Sequence, residues 1–293
     1  MESNFLTAVF LPLALFVIMM SMGIGLTLND FKRVTQEPKL VILGAIAQLV
    51  LLPIAGFLVA SVFSLTPELA VGLVVLTACP GGSTSNMITY LIKGNVALSI
   101  TLTAISSLVT VFTIPLLVNL AMQNFMGEES ALQLSLLETT LKIAIITIIP
   151  VALGMLLNYY APQFASNVEK LTKWLSLFFL ALIIFGILLV ERANLATFIY
   201  QVGWAVLFLN ISTMALGYGV ATIAKLPQDS VKTIAVEVGI QNGTLAIAIA
   251  SAPTFLNNST MAIPAGIYSL VMYFTSAIFG WLMQSRSADL VKK

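Results

Sequence analysis

One carboxylate in this chain stands where water is scarce. Glu237 lies in Ala235–Leu245, read Ala-Val-Glu-Val-Gly-Ile-Gln-Asn-Gly-Thr-Leu, inside a long apolar stretch. An ionisable side chain at such depth is costly and usually marks an ion or proton pathway. The bland alternative is a protonated Glu hydrogen-bonded to a neighbouring helix. Oxygen donors that could join it are spread along the chain. Ser85 and Asn86 follow a Cys-Pro-Gly-Gly break, Ser99 and Thr103 are four apart and so share a helix face, and Gln48 adds a side-chain amide. Hydroxyl, amide and carboxylate oxygens suit a hard cation. A single formal negative charge favours a monovalent ion such as Na⁺ over Ca²⁺ or Mg²⁺, whose sites recruit more carboxylates. The broken stretch Glu237–Gln241 also frees main-chain carbonyls, so a second monovalent site nearby is expected. The chain has no histidine, which removes His-based metal sites, Ser-His triads and histidine proton relays. Its single cysteine, Cys79, excludes an intrachain disulfide framework and a zinc-finger cluster.

The elements that must position these groups are membrane helices. Of 293 residues 59% are hydrophobic and only 9% charged, with a mean hydropathy of +1.03. A soluble domain carries about 25% charged residues, so a soluble enzyme, a disordered chain, a coiled coil and a nucleic-acid binder are all excluded. Nine apolar segments can be read, each near the roughly 20 residues that cross the hydrocarbon layer. They are Phe5–Leu28, Leu40–Leu65, Leu69–Ile92, Val96–Met122, Leu132–Tyr159, Trp174–Val190, Leu195–Leu226, Val231–Ala252 and Met261–Met283. Short loops join them, marked by Gln36-Glu37-Pro38, Thr66-Pro67-Glu68, Ala161-Pro162 and Leu226-Pro227, and one integral domain is the economical division. The first apolar run lacks a preceding basic region and is too long for a cleavable signal.

Charge sorts the two sides. With the N-terminus outside, eleven of the thirteen Lys and Arg fall on the cytoplasmic side, from Lys32 and Arg33 to Lys292 and Lys293. Only Arg192 lies outside, and Lys142 lies within a segment, four residues after Glu138. This is a strong positive-inside signal and predicts an outer N-terminus and a cytoplasmic C-terminus. The Glu138–Lys142 spacing predicts a structural ion pair or an interfacial anchor.

The third and eighth segments carry interruptions at mid-span. Pro80 removes a backbone donor and Gly81-Gly82 weaken the helix, with Ser83, Thr84, Ser85 and Asn86 directly after. In the eighth, Gly239 and Gly243 flank Gln241 and Asn242. Packed kinks would account for either alone. Interruptions at corresponding places in two halves point instead to a transporter site between inverted repeats. Segments one to four would match six to nine, leaving the fifth unpaired, and the two broken helices would run in opposite directions and cross at the midplane.

The stretches Cys79–Ser99 and Glu237–Gly243 resemble the signatures of the bile acid:sodium symporter family, and Met22–Phe31 resembles the end of its first shared helix. The resemblance covers nearly the whole chain in order. It implies an all-α integral membrane fold in its nine-helix form. A panel would be built from helices about 5–28, 132–159 and 174–190, beside a core of about 40–122 and 195–283 that holds the crossed helices. It implies a first Na⁺ on Ser85, Asn86, Ser99, Thr103 and Glu237, and a second on Gln48, Glu237, Val238, Ile240 and Gln241. An organic anion would sit by Ser83, Thr84, Asn242 and Ser269. Where relatives often place His and Asn, the last helix has Met272 and Tyr273, a less polar wall.

The expected function is sodium-coupled symport of an organic anion by alternating access, in the cell membrane of a bacterium. The anion would be bile acid-like or a small carboxylate such as pantoate or a 2-oxo acid. No organic cofactor, nucleic acid or obligate protein partner is expected beyond Na⁺, the substrate and the bilayer. The alternative is an efflux carrier of the related arsenite-export type, with Cys79 as a soft ligand. A membrane enzyme or receptor is disfavoured by a lone Glu with no paired carboxylate.

Overall fold

The protein is described from a computed structural model, which covers residues 11–127, 135–168 and 195–291 continuously and 171, 174, 175, 178, 181, 182 and 185 between them. The element order is α1 (Leu11–Ile24), α2 (Leu28–Gln36), α3 (Pro38–Val62), α4 (Pro67–Ala78), α5 (Ser83–Leu91), α6 (Val96–Met126), α7 (Leu136–Tyr160), α8 (Leu195–Ile223), α9 (Gln228–Gly239), α10 (Gly243–Ser251) and α11 (Ser259–Val291). A short helical stretch also covers 162–168, and no strand occurs among the described residues. Six helical stretches are long and apolar enough to cross a membrane, or up to eight if each of two bent pairs counts as one span. The protein is thus a multi-pass, all-helical membrane protein. Most of the sixth predicted segment, Trp174–Val190, and the beginning of the first, from Phe5, lie outside the described residues.

Helix ends follow local chemistry. Pro38 and Pro67 start α3 and α4, where a missing N–H costs nothing. Asn95 and Asn242 accept the backbone N–H of Leu98 and Leu245 at 3.0 Å, capping α6 and α10. Ser64, Lys93 and Lys225 adopt the left-handed conformation at helix ends. Beside them Leu65, Gly94 and Leu226 donate to the carbonyls of Ala60, Thr89 and Ala221, closing the last turns.

One element departs from the sequence expectation. The residues after the first segment, read as a short loop, form the amphipathic helix α2, bent 60° from α1. Thr27 and Asp30 start it, the Asp30 carboxylate accepting the Thr27 N–H at 2.7 Å, and none of its residues is buried. This reciprocal cap outweighed the polar composition that suggested a loop. Thr101 on α6 donates to the Asp30 carbonyl at 3.0 Å and fastens α2.

The two interrupted segments have matching dimensions. The helix before each break has 12 residues (α4 and α9), and the helix after it has 9 (α5 and α10). The first pair bends by 66°. In the second, Gln228–Ser251, every residue from Thr233 to Ser251 is buried, whereas in α7 only Thr139, Ile143, Thr147, Pro150 and Gly154 are. Two apolar clusters hold the elements around it. The predicted Glu138–Lys142 pair forms at 2.6 Å on the exposed start of α7, and Lys142 also reaches the Thr254 carbonyl at 3.2 Å.

Helix α1 packs chiefly on α7, and glycines set the approach. A Cβ on Gly154 would strike the Met20 carbonyl and lie 2.7 Å from the Ile24 nitrogen, backbone atoms that cannot rotate away. Overpacking of this kind costs about 1–3 kcal/mol. Gly154→Ala should therefore lower the thermal unfolding temperature of detergent-purified protein. Gly219→Ala, where no atom lies within 4 Å of the added carbon, should leave it unchanged.

Candidate functional site

The site begins with two interruptions that touch. Cys79 is extended, as a residue before proline must be, and donates to the Leu76 carbonyl at 3.1 Å. Past α9, Ile240 is extended as well. The Pro80 carbonyl then accepts the Asn242 N–H at 2.9 Å, joining the breaks main chain to main chain. Neither Gly81 nor Gly82 has a positive φ. What Gly81 supplies is space: a Cβ there would lie 2.8 Å from Glu237 Oε2, 3.0 Å from Gln48 Nε2 and 3.4 Å from Ser85 Oγ.

Glu237 is fully buried. The hydroxyl of Ser99 donates to its Oε1, and that of Thr103 to its Oε2 at 3.1 Å. Asn86 Oδ1 lies 2.8 Å from Ser99 Oγ and 3.4 Å from Thr103 Oγ1, and Ser85 Oγ lies 3.4 Å from Thr103 Oγ1. All five residues expected at a first cation site are thus brought together, from α5, α6 and α9. The balance of protons in this cluster decides its chemistry. The carboxylate, the amide oxygen and the three hydroxyl oxygens have only three hydroxyl protons among them. Ser85 directs one of these to the Gly82 carbonyl at 2.7 Å. So oxygen-rich a cluster, with one negative charge and few protons, fits a small hard cation.

The second expected set converges on the main chain of the same glutamate. Gln48 lies in a π-helical turn, Ala47–Leu51, within α3, a feature common where a helix is adapted to a function. Its Nε2 donates to the Glu237 carbonyl at 3.4 Å. Gln241 Nε2 reaches the same carbonyl at 3.5 Å and the Val238 carbonyl at 2.9 Å. Both amide oxygens, Gln48 Oε1 and Gln241 Oε1, are buried without a hydrogen-bond partner. Buried acceptors left unpaired are expensive, and oxygens of this kind are ones a hard cation could use. The donors fit a monovalent ion carried as a substrate. Among the described residues no three His, Cys, Asp or Glu gather to hold a metal.

The residues expected near an organic anion adjoin the same crossing. Ser83 and Thr84 open α5 and are half-buried, while Asn242 is buried, its Nδ2 lying 3.9 Å from a Cβ built on Gly82. Ser269 is fully buried; its hydroxyl donates to the Ala265 carbonyl at 2.7 Å and presses against Gly243. Cys79 is packed in the larger apolar cluster.

The sequence profile of the sodium bile acid symporter family matches residues 12–198. The "Uncharacterized sodium-dependent transporter YocS" of Bacillus subtilis is 32% identical over 263 residues, covering 89% of this chain and 78% of that protein. The chain belongs to the sodium bile acid symporter family. The rice protein named "Probable sodium/metabolite cotransporter BASS1, chloroplastic" (Oryza sativa subsp. japonica) is 32% identical over 86% of this chain, which spans 60% of that relative's length. Human "Sodium/bile acid cotransporter 4" is 29% identical over 97% of the chain and 65% of its own length.

Within this family member, two polar residues beside the breaks escaped the sequence reading. Asn210 of α8 and Tyr268 of α11 both donate to the Gly239 carbonyl. An asparagine in the middle of an apolar segment was the available signal for the first. A buried tyrosine in a helix full of aromatic residues gave none.

The crowding at Gly81 generates a direct test. Gly81→Ala forces a methyl between the carboxylate and Gln48. Ligand binding stabilises the folded state by about 2.7 kcal/mol at a hundredfold excess over Kd. The extra thermal stability of the wild type in NaCl over choline chloride should therefore largely vanish in Gly81→Ala. Gly82→Ala, whose added carbon meets nothing closer than 3.9 Å, should keep most of it.

Proposed function

We propose that the protein is a secondary active transporter that couples inward movement of Na⁺ to that of an organic anion. The observation that carries this reading is the Glu237 carboxylate, enclosed by Ser99, Thr103, Asn86 and Ser85 beside two unpaired amide oxygens. The names of the relatives, sodium/metabolite and sodium/bile acid cotransporters, agree with it. A first Na⁺ is held by Ser85, Asn86, Ser99, Thr103 and Glu237. A second is held by Gln48, Gln241 and the main chain of Glu237, Val238 and Ile240. The anion sits at the crossover near Ser83, Thr84, Asn242 and Ser269, and is bile acid-like or a small carboxylate such as pantoate or a 2-oxo acid.

The architecture of this reading has nine crossings in two inverted repeats, an outer N-terminus and a cytoplasmic C-terminus. The equal lengths of α4 and α9, and of α5 and α10, support the repeat. So does the fall of left-handed residues at matching places, Ser64 with Lys225 and Lys93 with Asn257. A panel containing α1 and α7 stands beside a core containing the breaks, and rocking of one against the other switches access around a site fixed near mid-membrane.

Glu237→Gln keeps the shape of the side chain and removes its charge. It should abolish Na⁺-driven uptake and weaken sodium binding by at least about tenfold, the loss of one charge-assisted contact. The protein should still insert and purify as a folded species. Uptake of radiolabelled carboxylates into proteoliposomes under a Na⁺ gradient tests this, and wild-type sodium affinity in the variant would remove the Glu237 carboxylate from the first site. Two sodium ions with one monovalent anion carry one net positive charge inward. A negative-inside potential of 100 mV should therefore add roughly 2.3 kcal/mol of driving force. Valinomycin-imposed potentials read this as faster uptake, and indifference to potential would mean one coupled Na⁺ or a dianionic substrate.

A further inference from the structure

The carbonyl of Gly239 is held from two sides by helices that do not belong to its own segment. Asn210 Nδ2 on α8 donates to it at 2.7 Å, and the Tyr268 hydroxyl on α11 at 2.9 Å. Both residues are fully buried, and Thr213 adjoins the same phenol. Gly239 is the last residue of α9, so its carbonyl is one of those that the helix itself leaves unsatisfied. The residue must be glycine for want of space, because a Cβ would run into the side chain of Met214. That choice brings a cost. Glycine has the freest backbone of any residue, and here it stands between Val238 and Ile240.

Two donors on one carbonyl remove that freedom. The peptide unit is a rigid plane, so fixing the direction of the Gly239 carbonyl fixes the whole 239–240 unit. The orientations open to the Val238 and Ile240 carbonyls are then limited to small rotations on either side. We propose that Asn210 and Tyr268 are positioning residues: they clamp the Gly239 peptide so that the flanking carbonyls are presented to the second cation site. This rests on the sodium reading given above and names what holds that site in shape. Tyr268 is also the neighbour of Ser269, so the clamp ties the helix beside the expected anion position to the ion-bearing break. Ordering of the break and packing of α11 become one event.

The test measures sodium directly and needs no knowledge of the organic substrate. Radiosodium bound to purified protein is displaced with unlabelled NaCl in the wild type, in Tyr268→Phe, which removes only the hydroxyl, in Asn210→Leu, which keeps the volume without a donor, and in the double variant. Each single variant leaves one donor on the carbonyl and should raise the half-displacing concentration about threefold to tenfold, the range for one hydrogen bond. The double variant leaves the carbonyl with neither and should raise it by more than the product of the two. Tyr268→Phe keeps the ring packed, so it reports even if Asn210→Leu does not fold. A wild type displaced by NaCl with unshifted variants would overturn the clamp alone. A fall in folded yield at unchanged half-displacement would do the same, since it marks a merely structural role. A wild type that binds no sodium would overturn the sodium reading and the clamp together.

Discussion

Everything near the centre of this protein depends on keeping one carboxylate out of water. Glu237 lies within a run, residues 233–251, that is buried throughout, where an uncompensated charge is worth several kcal/mol of instability. Two hydroxyls reduce that cost but cannot cancel a full charge. The side-chain partners of Glu237 are the hydroxyls of Ser99 and Thr103, and neither is a Lys or Arg. A bare charge in such a place is answered by a cation or by a proton. Interrupted helices, missing side chains at close approaches and polar residues at mid-span all serve this one electrostatic need.

The breaks meet the need by geometry. An unbroken helix would turn every carbonyl along its axis and leave none for a ligand. Ending α4 at Ala78 and α9 at Gly239 releases carbonyls where the segments meet, and starting α5 and α10 afresh restores a continuous crossing. The released groups are not left loose. Asn242 caps α10 with its side chain while its backbone N–H binds Pro80, and the Gly239 carbonyl receives two donors. Non-helical backbone is tolerated in a membrane protein where it is buried and bonded in this way.

Much of this was legible in the residues, and the parts that were not share a cause. Composition and apolar run length were enough to mark membrane helices, because the bilayer imposes a minimum length that few soluble proteins imitate. The breaks were legible because proline and paired glycines act locally. The oxygen cluster around Glu237 was legible because that acid stands within an apolar segment, and because Ser99 and Thr103 share a helix face. Helix α2 was hidden because it is short and mostly polar: its apolar stripe is only Leu28, Phe31 and Val34, and its capping residues Thr27 and Asp30 were the other cue. The π-helical turn at Gln48 and the donors of Asn210 and Tyr268 were hidden because they are tertiary facts. Nothing in the spacing of residues 210, 239 and 268 indicates that three helices meet at one carbonyl.

The bond between the Pro80 carbonyl and the Asn242 N–H is made by backbone alone. Its survival asks nothing of the side chains on either residue's neighbours, apart from the room that glycine leaves. The join between the two halves is therefore insulated from mutational drift in the residues beside it. Ser83 and Thr84, whose side chains take no part in that bond, can be exchanged for others while the crossing stays as it is. A scaffold with that property can be retuned by evolution one side chain at a time without first being taken apart.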